Sequence, residues 1–335
     1  MGQIILNYPS HIRLELTQGC NRSCYSCPVS QNQKFMNMEI FEIILKQFNQ
    51  KIKRMELSMH GEPLLNPNVE RYIKMLRKQL PKAQISIITN TEIFYKKPSL
   101  MVALFLAGLN FLQADVYSEK IKKNFIDLIH TLKPKLNSNN IKAQYFIKGG
   151  INIWKYNYKD RYILLSDESK GINIIEKHAM RKVHTWAGNL PLKRWKHYEL
   201  FLDQFPIKKK CTEPMKCAPI DIYGNVSLCC ADYAKSYIYG NLKEESLENI
   251  WNGKQIQKVR CALSQGWRDI IPACHFCNKP SFRIGLWPYK ERSWTKKYLK
   301  KFFTENSFIS KNLKELFIKY NENILKERLN NDCKL

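Results

Sequence analysis

The sequence predicts an α/β fold: a partial (β/α)6 TIM-like barrel, a small C-terminal cysteine-rich cluster-binding domain and a helical tail. Three observations predict it. Strand-like and helix-like segments alternate to about residue 177, seven of the eleven cysteines fall between residues 208 and 280, and a basic, aromatic stretch follows them. Such alternation is typical of a parallel sheet whose strands are joined by helices. We place the barrel at residues 1–200, the cysteine-rich domain at 201–280 and the tail at 281–335.

The barrel elements follow from periodicity and from their end signals. Short apolar or β-branched runs predict strands at residues 12–16, 54–59, 84–89, 111–116, 141–147 and 171–176. Apolar residues at helical spacing predict helices at 38–48, 66–80, 99–107, 118–132 and 158–165. Six strands alternating with these helices would form a partial barrel of six β/α units.

Length and composition restrict the class of protein. A chain of 335 residues with 44% hydrophobic content can bury a sizeable core. The longest apolar stretch is far shorter than the roughly 20 residues of a membrane-spanning helix. The N-terminus lacks a basic start and a small-residue cleavage site, so we expect a cytoplasmic protein with no membrane partner. In the reducing cytosol, eleven cysteines favour metal or cluster ligation over disulfides.

The formal charge of +26 allows two interpretations. It would attract nucleic acid, phosphorylated substrates or an acidic redox partner. A Lys-, Asn- and Ile-rich composition with a solvated basic surface explains it equally well. Charge alone therefore selects no partner.

The first cysteine group is Cys20, Cys24 and Cys27, on the loop that follows the first predicted strand. Barrel folds place their chemistry at the carboxyl ends of their strands. Three thiolates can hold three irons of a cubane cluster and leave the fourth iron open, whereas four cysteines would saturate it. A three-cysteine zinc site is the alternative.

The spacing Cys-x-x-x-Cys-x-x-Cys resembles the signature of the radical S-adenosylmethionine superfamily, and further motifs follow in the expected order. The resemblance implies that S-adenosylmethionine chelates the open iron of a [4Fe-4S] cluster. It also implies that a low-potential electron cleaves the sulfonium to a 5′-deoxyadenosyl radical, which abstracts a substrate hydrogen. A donor such as flavodoxin or ferredoxin would supply that electron.

Four residues downstream are expected to bind the cofactor, by the same resemblance. Gly61 and Glu62 match the family's Gly-Glu-Pro motif, in which the carboxylate contacts the methionine amino group. Asn90 belongs to a Thr-Asn-Thr sequence similar to the family's Thr-Asn-Gly, and Asp115 ends a strand where many members carry Ser-x-Asp. Helix capping or turn formation is the competing interpretation of Asn90 and Asp115.

Three positions in these motifs depart from the family pattern. Thr91 replaces the glycine of Thr-Asn-Gly, and Ala114 leaves the hydroxyl position before Asp115 unfilled. Ser26 stands where many members place an aromatic residue against adenine, a role that Tyr25 would fill only with a different geometry.

The second cysteine group has the spacing Cys-x12-Gly-x4-Cys followed by Cys-x2-Cys. Together with a Gly-Asn-Leu and a Trp-Asn sequence, it resembles the SPASM or twitch extensions of radical S-adenosylmethionine enzymes. The resemblance implies a second, auxiliary [4Fe-4S] cluster with four ligands: Cys211, Cys229, Cys274 and Cys277. A rubredoxin-like or zinc-ribbon site is the rival, since zinc accepts the same sulfurs.

Three further cysteines, Cys217, Cys230 and Cys261, would then be buried hydrophobes, although Cys217 or Cys230 could replace a neighbouring ligand. Cys333, in the tail, is assigned no role. The segment 184–189 resembles a His/Asn-x-Trp-x-Gly segment of SPASM-type members, with a packed tryptophan as the competing interpretation. His178 and Arg181 would contact an anionic substrate or lie on a solvated basic face. The aromatic residues of the tail favour helical packing over stacking on nucleic acid.

The sequence thus predicts a radical S-adenosylmethionine enzyme in which Cys20, Cys24 and Cys27 generate the radical. Peptide or protein modification, or oxidation of a small polar molecule, are the first expected reactions. The auxiliary cluster would accept an electron from the substrate or relay electrons to the first cluster. Modification of a nucleic acid or nucleotide is the alternative favoured by the charge. The alternative of another class is a non-catalytic zinc or iron–sulfur protein that binds nucleic acid.

Overall fold

The computed structural model describes residues 8–24, 27–146, 159–167, 206–207, 209–275 and 277. Its strands are β1 (His11–Leu14), β2 (Thr17–Gln18), β3 (Lys34–Phe35), β4 (Arg54–Glu56), β5 (Gln84–Thr89), β6 (Phe111–Val116), β7 (Lys142–Phe146), β8 (Tyr162–Asp167), β9 (Cys217–Ile220), β10 (Asn225–Ser227) and β11 (Ile238–Asn241). Its helices are α1 (Met38–Lys46), α2 (Val69–Gln79), α3 (Glu92–Lys96), α4 (Ser99–Ala107), α5 (Glu119–Ser138), α6 (Leu247–Asn252), α7 (Lys254–Gln265) and α8 (Pro272–His275). Single 3-10 turns lie at Pro63–Leu65 and Glu213–Met215.

Among the described residues, nine strands form one sheet in the order β11-β10-β9-β1-β4-β5-β6-β8-β7. Every neighbouring pair from β9 to β7 is parallel, and β10 joins β9 and β11 in antiparallel fashion. The α/β class of the sequence prediction is therefore confirmed, with a mostly parallel sheet. The cysteine-rich region is not detached from it, because β9 pairs directly with β1.

The two faces of the sheet differ in chemistry because side chains alternate along each strand. The outer face carries the apolar side chains of Ile12, Met55, Ile85 and Leu112, which are buried with residues of α1, α2 and α4. The inner face is mainly polar. Paired positions, or positions two residues further along a strand, place on it Arg13, Glu15, Glu56, Ser58, Ser86, Gln113 and Asp115, together with the apolar Ile88 and Phe111.

The prediction of a helix at residues 158–165 is wrong. Residues 162–167 form β8, which lies between β6 and β7, so β7 rather than β8 is the edge strand. Ile163 and Leu164 are buried, and a strand enclosed by two parallel neighbours has the same continuous apolar run as a buried helix. The strand predicted at 171–176 lies outside the described residues.

A further difference concerns helix α5. It continues to Ser138, past the predicted end at residue 132, with Pro134 inside it. Ser118 caps its start by accepting a hydrogen bond from the backbone N–H of Ile121 at 3.2 Å. Among the described residues, no helix is both long enough and apolar enough to cross a lipid bilayer.

Candidate functional site

The first cysteine loop connects β2 to β3, which pair with each other outside the main sheet, and its backbone is joined to the loop that carries Gly61 and Glu62. The N–H of Gly19 donates to the carbonyl of His60 at 3.1 Å, and the N–H of Glu62 donates to the carbonyl of Gly19 at 3.0 Å. A Cβ atom on Gly61 would lie 2.5 Å from the carbonyl oxygen of Gly19. Gly61 therefore permits the close approach of the two loops.

Cys20, Cys24 and Cys27 lie together on this loop, although Tyr25 and Ser26 between them lie outside the described residues. The N–H of Cys27 donates to the carbonyl of Cys24 at 3.1 Å. Burial and the neighbouring thiols raise the pKa of Cys20 and raise that of Cys27 to about 11. Thiols in this state need positive charge before they ionise, and iron ions supply such charge. Three mutually close cysteines thus fit the predicted cluster.

Two polar residues within the loop attach it to helix α3. Arg22 forms an ion pair with Glu92, and the side-chain amide of Asn21 donates to the same carboxylate at 2.7 Å. The Arg22 guanidinium also lies 4.9 Å from the ring centre of Tyr117. The sequence analysis missed these anchors, since the only signal was an arginine between two cysteines and a glutamate after the Thr-Asn-Thr motif.

Glu62 is buried beside the cysteine loop and accepts three hydrogen bonds. Its Oε1 accepts from the N–H of Leu64 at 3.1 Å and from the Thr89 hydroxyl at 2.7 Å, while Oε2 accepts from the N–H of Asn90 at 2.8 Å. Burial raises its pKa to about 7 despite these donors, with a further contribution from Asp115. Since a carboxylate oxygen accepts two hydrogen bonds, Oε2 retains room for a cationic donor.

Asn90 links the same two loops by its side chain. Its amide donates to Asn21 Oδ1 at 2.8 Å and points at Cys20 Sγ at 3.6 Å. Its Oδ1 accepts from the N–H of Glu92 at 3.1 Å, so it also caps the start of α3. The turn interpretation of Asn90 therefore describes a real contact. Binding of the cofactor by Asn90 stays a prediction, although its side chain lies beside the first cysteine loop.

Thr91 has the left-handed backbone angle φ +70°. This conformation favours glycine and costs a β-branched residue of the order of 1–3 kcal/mol. The departure from Thr-Asn-Gly noted in the sequence thus falls where glycine is preferred. Thr91 is fully buried, and the backbone around it still reaches Glu62 through Asn90.

Asp115 lies near the carboxyl end of β6 on the inner, polar face. Gln113 donates to its Oδ1 at 2.9 Å. Its charge contributes to the raised pKa of Glu62, which places the two carboxylates at the same end of the sheet. The predicted cofactor residues Gly61, Glu62, Asn90 and Asp115 are therefore gathered around the first cysteine loop.

The second cysteine group surrounds one cavity. Cys211, Cys229, Cys274 and Cys277 all line it, with Leu228, Leu263 and Ala273 as apolar neighbours. Cys274 and Cys277 are buried, whereas Cys211 and Cys229 are partly exposed. Burial, followed by the other thiols, raises the pKa of Cys274. The four predicted ligands are brought together from distant parts of the chain, and their soft sulfur donors fit an iron–sulfur cluster.

Two buried charged residues of the same cavity were missed by the sequence analysis. Arg268 is 1% exposed, donates from Nε to the carbonyl of Lys209 at 2.7 Å, and interacts electrostatically with Cys211 and Cys274. Asp232 lines the cavity as well and accepts from the Ser236 hydroxyl at 2.8 Å. No spacing rule relates either residue to the cysteines, so the sequence held no signal for them.

The remaining cysteines of this region are buried outside the cavity: Cys217, Cys230 and Cys261. Cys230 accepts a hydrogen bond from the guanidinium of Arg13, whose charge also interacts with Cys217. Both thiols lie at the inner face of β1 and are absent from the lining of the described cavity. Cys261 is buried in α7 and is disulfide-bonded, so the expectation that it would be no more than a buried hydrophobe is wrong. The calls on Cys333, His178, Arg181, segment 184–189 and the tail lie outside the described residues.

Within the part of the chain that the structure describes, no three His, Cys, Asp or Glu side chains converge on a point as the ligands of one metal ion do.

Comparison with known proteins found a family model that matches the cysteine-rich region and curated relatives that match most of the chain. Residues 211–278 match the model of SPASM, an iron–sulfur cluster-binding domain. A curated relative from Niallia circulans, named S-adenosyl-L-methionine-dependent 2-deoxy-scyllo-inosamine dehydrogenase, is 23% identical over 81% of this chain and 94% of its own. GTP 3′,8-cyclase of Petrotoga mobilis is 26% identical over 64% of this chain and 67% of its own.

Among solved structures, BtrN in complex with AdoMet and 2-DOIA has a TM-score of 0.58 and 20% identity, covering 81% of this chain and 93% of that chain. BtrN in an open conformation has a TM-score of 0.52 and 19% identity, covering 81% and 92%. At these identities the likeness concerns the fold.

Proposed function

We propose that the chain is a radical S-adenosylmethionine enzyme with a SPASM domain and that it dehydrogenates a small polar molecule. Its cofactors are S-adenosylmethionine and [4Fe-4S] clusters. We retain the proposed division into a barrel at 1–200, a cluster domain at 201–280 and a tail at 281–335. The first border and the whole tail fall outside the described residues.

We assign the ligands from the two cysteine groups. Cys20, Cys24 and Cys27 would hold the cluster that generates the radical, beside Glu62 and Asn90. The auxiliary cluster has four ligands: Cys211, Cys229, Cys274 and Cys277. When bound, the clusters would give one electron to S-adenosylmethionine and take one from the substrate, so that a CH–OH group loses a hydrogen atom and a proton and becomes a carbonyl.

The protein groups of the first site bind and orient S-adenosylmethionine. Glu62 Oε2 accepts from the methionine ammonium, and the turn at Gly61 leaves room for the backbone to approach it. Asn90 keeps Cys20 and Glu62 in fixed relation through its amide and its N–H. Asp115 adds a hydrogen-bond acceptor at the same edge of the sheet.

The observation that carries this proposal is the match to a named dehydrogenase along 94% of that relative's length. The polar inner face of the sheet supports it independently. Gln113 and Asp115 are partly exposed there and present an amide and a carboxylate, the groups that recognise hydroxyl and amino substituents. A small polyhydroxylated or amino-substituted ring has these substituents.

The experiment is a substrate panel with isotope transfer. Anaerobically reconstituted protein is mixed with a reductant, S-adenosylmethionine and aminocyclitols deuterated at their carbinol carbons. We expect deuterium in 5′-deoxyadenosine and a ketone product three mass units below the labelled alcohol, because one deuterium and one hydroxyl hydrogen are lost. A flavodoxin or ferredoxin should replace the chemical reductant, and the basic surface favours such acidic donors.

The control is Cys24→Ala, which should form no 5′-deoxyadenosine with any substrate. Peptides and oligonucleotides form two further arms of the panel. If deuterium from a labelled peptide or nucleotide enters 5′-deoxyadenosine while no alcohol supplies it, the dehydrogenase proposal is wrong. Salt-dependent nucleic-acid binding that survives Cys24→Ala, in a protein that never cleaves S-adenosylmethionine, would indicate a binding protein instead.

A further inference from the structure

Residues 229–235, the bridging segment, begin at a cysteine of the second group and end beside the first. The carbonyl oxygen of Cys230 lies 2.7 Å from Nε2 of His60. Because a carbonyl only accepts, the imidazole donates. His60 is 1% exposed and immediately precedes Gly61, so the bridging segment contacts the Gly61–Glu62 turn through one buried hydrogen bond.

A buried ion pair adds a second contact. Lys235 Nζ lies 2.8 Å from Glu15 Oε2 and 3.2 Å from Asp221 Oδ2. Glu15, just beyond β1, is fully buried, and its Oε1 is 3.4 Å from Nδ1 of His60. Removing one partner of such a set leaves a buried charge uncompensated, which is strongly destabilising. Lys235 and His60 are therefore joined through the same carboxylate.

Tyr233 provides a third contact, to the cysteine loop itself. Its ring meets the ring of His60 edge-on, with centres 5.2 Å apart and planes at 75°. Its hydroxyl is hydrogen-bonded with the backbone of Ser30, whose carbonyl accepts from the N–H of Cys20. One short segment thus touches both loops that form the first site.

A displacement at His60 would reach Glu62 through the backbone. The carbonyl of His60 accepts from Gly19, and the carbonyl of Gly19 accepts from Glu62. A Cβ atom on Gly61 would clash with the carbonyl oxygen of Gly19, so the two loops are in direct contact. A displacement of one loop therefore displaces the other. The position of His60 therefore fixes the position of the Glu62 carboxylate relative to the cysteine loop.

We propose that the bridging segment positions the Gly61–Glu62 turn for S-adenosylmethionine, with His60 and Lys235 as positioning residues. The region that holds the auxiliary cluster then sets the affinity of the first site. The identity of the ligand rests on the proposed function. The mechanical link rests on the contacts alone.

The test compares His60→Leu and Lys235→Met with two controls. His60→Gln keeps a side-chain donor, and Lys243→Met removes an exposed lysine of the same region. Equilibrium dialysis of reconstituted protein, with iron counted, gives the affinity for S-adenosylmethionine. We expect binding about 10-fold weaker in the first two variants, a smaller loss in His60→Gln and none in Lys243→Met. The KM for S-adenosylmethionine should rise by a larger factor than kcat falls.

Deuterium uptake of the cofactor-free proteins provides a readout that does not depend on cluster assembly. Residues 58–66 should exchange faster in His60→Leu and in Lys235→Met, and at the wild-type rate in Lys243→Met. Wild-type affinity in fully loaded His60→Leu and Lys235→Met overturns the inference. Unchanged uptake at 58–66 in Lys235→Met overturns it too, even where His60→Leu does not fold.

The two proposals fail in different ways. If no alcohol donates deuterium but the variants weaken S-adenosylmethionine binding, the dehydrogenase function is wrong and the bridging inference holds. If wild-type protein does not bind S-adenosylmethionine at all, both are wrong.

Discussion

The two cysteine sites are built in opposite ways. The first three cysteines lie within residues 20–27, on a partly exposed loop attached by polar contacts of Asn21 and Arg22. The other four lie between residues 211 and 277, around a cavity with an apolar wall. A short loop keeps its thiols close whether or not metal is bound, whereas the second set is gathered by the fold. We therefore expect the first site to bind and release ligands, and the second site to hold its cluster permanently.

The largest expected effect is the loss of chemistry at the first site without loss of structure. Cys24→Ala should reduce 5′-deoxyadenosine formation to background, because two thiolates cannot hold the cluster. The unfolding temperature should change by less than about 2 °C, since the residue is on a partly exposed loop. Chromatography of 5′-deoxyadenosine and calorimetry measure the two quantities. Cys217→Ala, at a buried cysteine outside both groups, should retain activity.

Cys274→Ala, at the second site, should lower the stability of the protein more than Cys24→Ala does. The iron content should fall by about half, and the unfolding temperature of the loaded protein should drop by about 5 °C or more, because a cross-link across a long stretch of chain is lost. Iron analysis and calorimetry test this. An unfolding temperature that falls as little as in Cys24→Ala would show that the second site is no more structural than the first.

Glu62 gives the next effect, and a pH dependence. Burial raises the pKa of Glu62 from 4.5 to about 7, so the protonated form predominates in the free protein below about pH 7. Binding an ammonium requires the carboxylate, so affinity for S-adenosylmethionine should rise between about pH 6 and 8. Glu62→Gln should bind about 10-fold more weakly at pH 8, with no such dependence. Titrations at several pH values measure it.

The raised pKa of Glu62 also makes the stability of the folded protein depend on pH. A carboxyl whose folded pKa is raised contributes stability below its ordinary pKa and loses that contribution as pH rises through about 7. Cofactor-free wild-type protein should lose more stability between about pH 4.5 and 7 than Glu62→Gln does. Glu70→Gln, at an exposed helix position, should behave as wild type. Equal pH dependence in all three would show that Glu62 is ionised throughout.

Arg268 extends the comparison to redox properties. A buried guanidinium beside Cys211 and Cys274 stabilises the more negative, reduced cluster. Arg268→Met should lower the auxiliary reduction potential by on the order of 50–100 mV, and Arg268→Lys by less. A redox titration followed by electron paramagnetic resonance measures it. The first cluster should keep its potential, and a shift there instead would contradict the assignment.

Thr91 gives the smallest effect. Thr91→Gly should increase the stability of the cofactor-free protein by about 1 kcal/mol, because glycine accepts φ +70° without strain. Asn140→Gly is the matched control, since asparagine tolerates its φ of +55° better. Urea unfolding measures both. A loss of stability in Thr91→Gly would mean that its packing outweighs its strain.

The elements with continuous apolar runs were predictable from the sequence. Strands at 84–89 and 111–116 and the helix at 99–107 have their predicted bounds. The run Ile163-Leu164-Leu165 was misassigned because it has no period, and only its neighbours β6 and β7 make it a strand. The strand order β6-β8-β7 depends on contacts between distant residues, which local pattern does not encode.

The candidate site divides in the same way. The cysteines, Gly61 and Glu62 belong to sequence motifs, so they could be identified as candidate site residues from the sequence alone. Glu92, which holds the cysteine loop, and Lys235, which holds Glu15, are single charged residues in no motif. Charged residues are common on any surface, and only the folded arrangement distinguishes these two from the rest.

The pairing of β9 with β1 has a consequence for synthesis on the ribosome. β1 emerges first, and the partner on one of its sides is encoded about 200 residues later. At roughly 5–20 residues per second, that side of the strand waits about 10–40 seconds for its hydrogen bonds. An unpaired edge of a nascent sheet is a site for aggregation or for chaperone binding. The cysteine-rich region thus supplies the missing partner of β1, and a chain truncated before residue 217 would keep this edge of the sheet open beside the first cysteine loop.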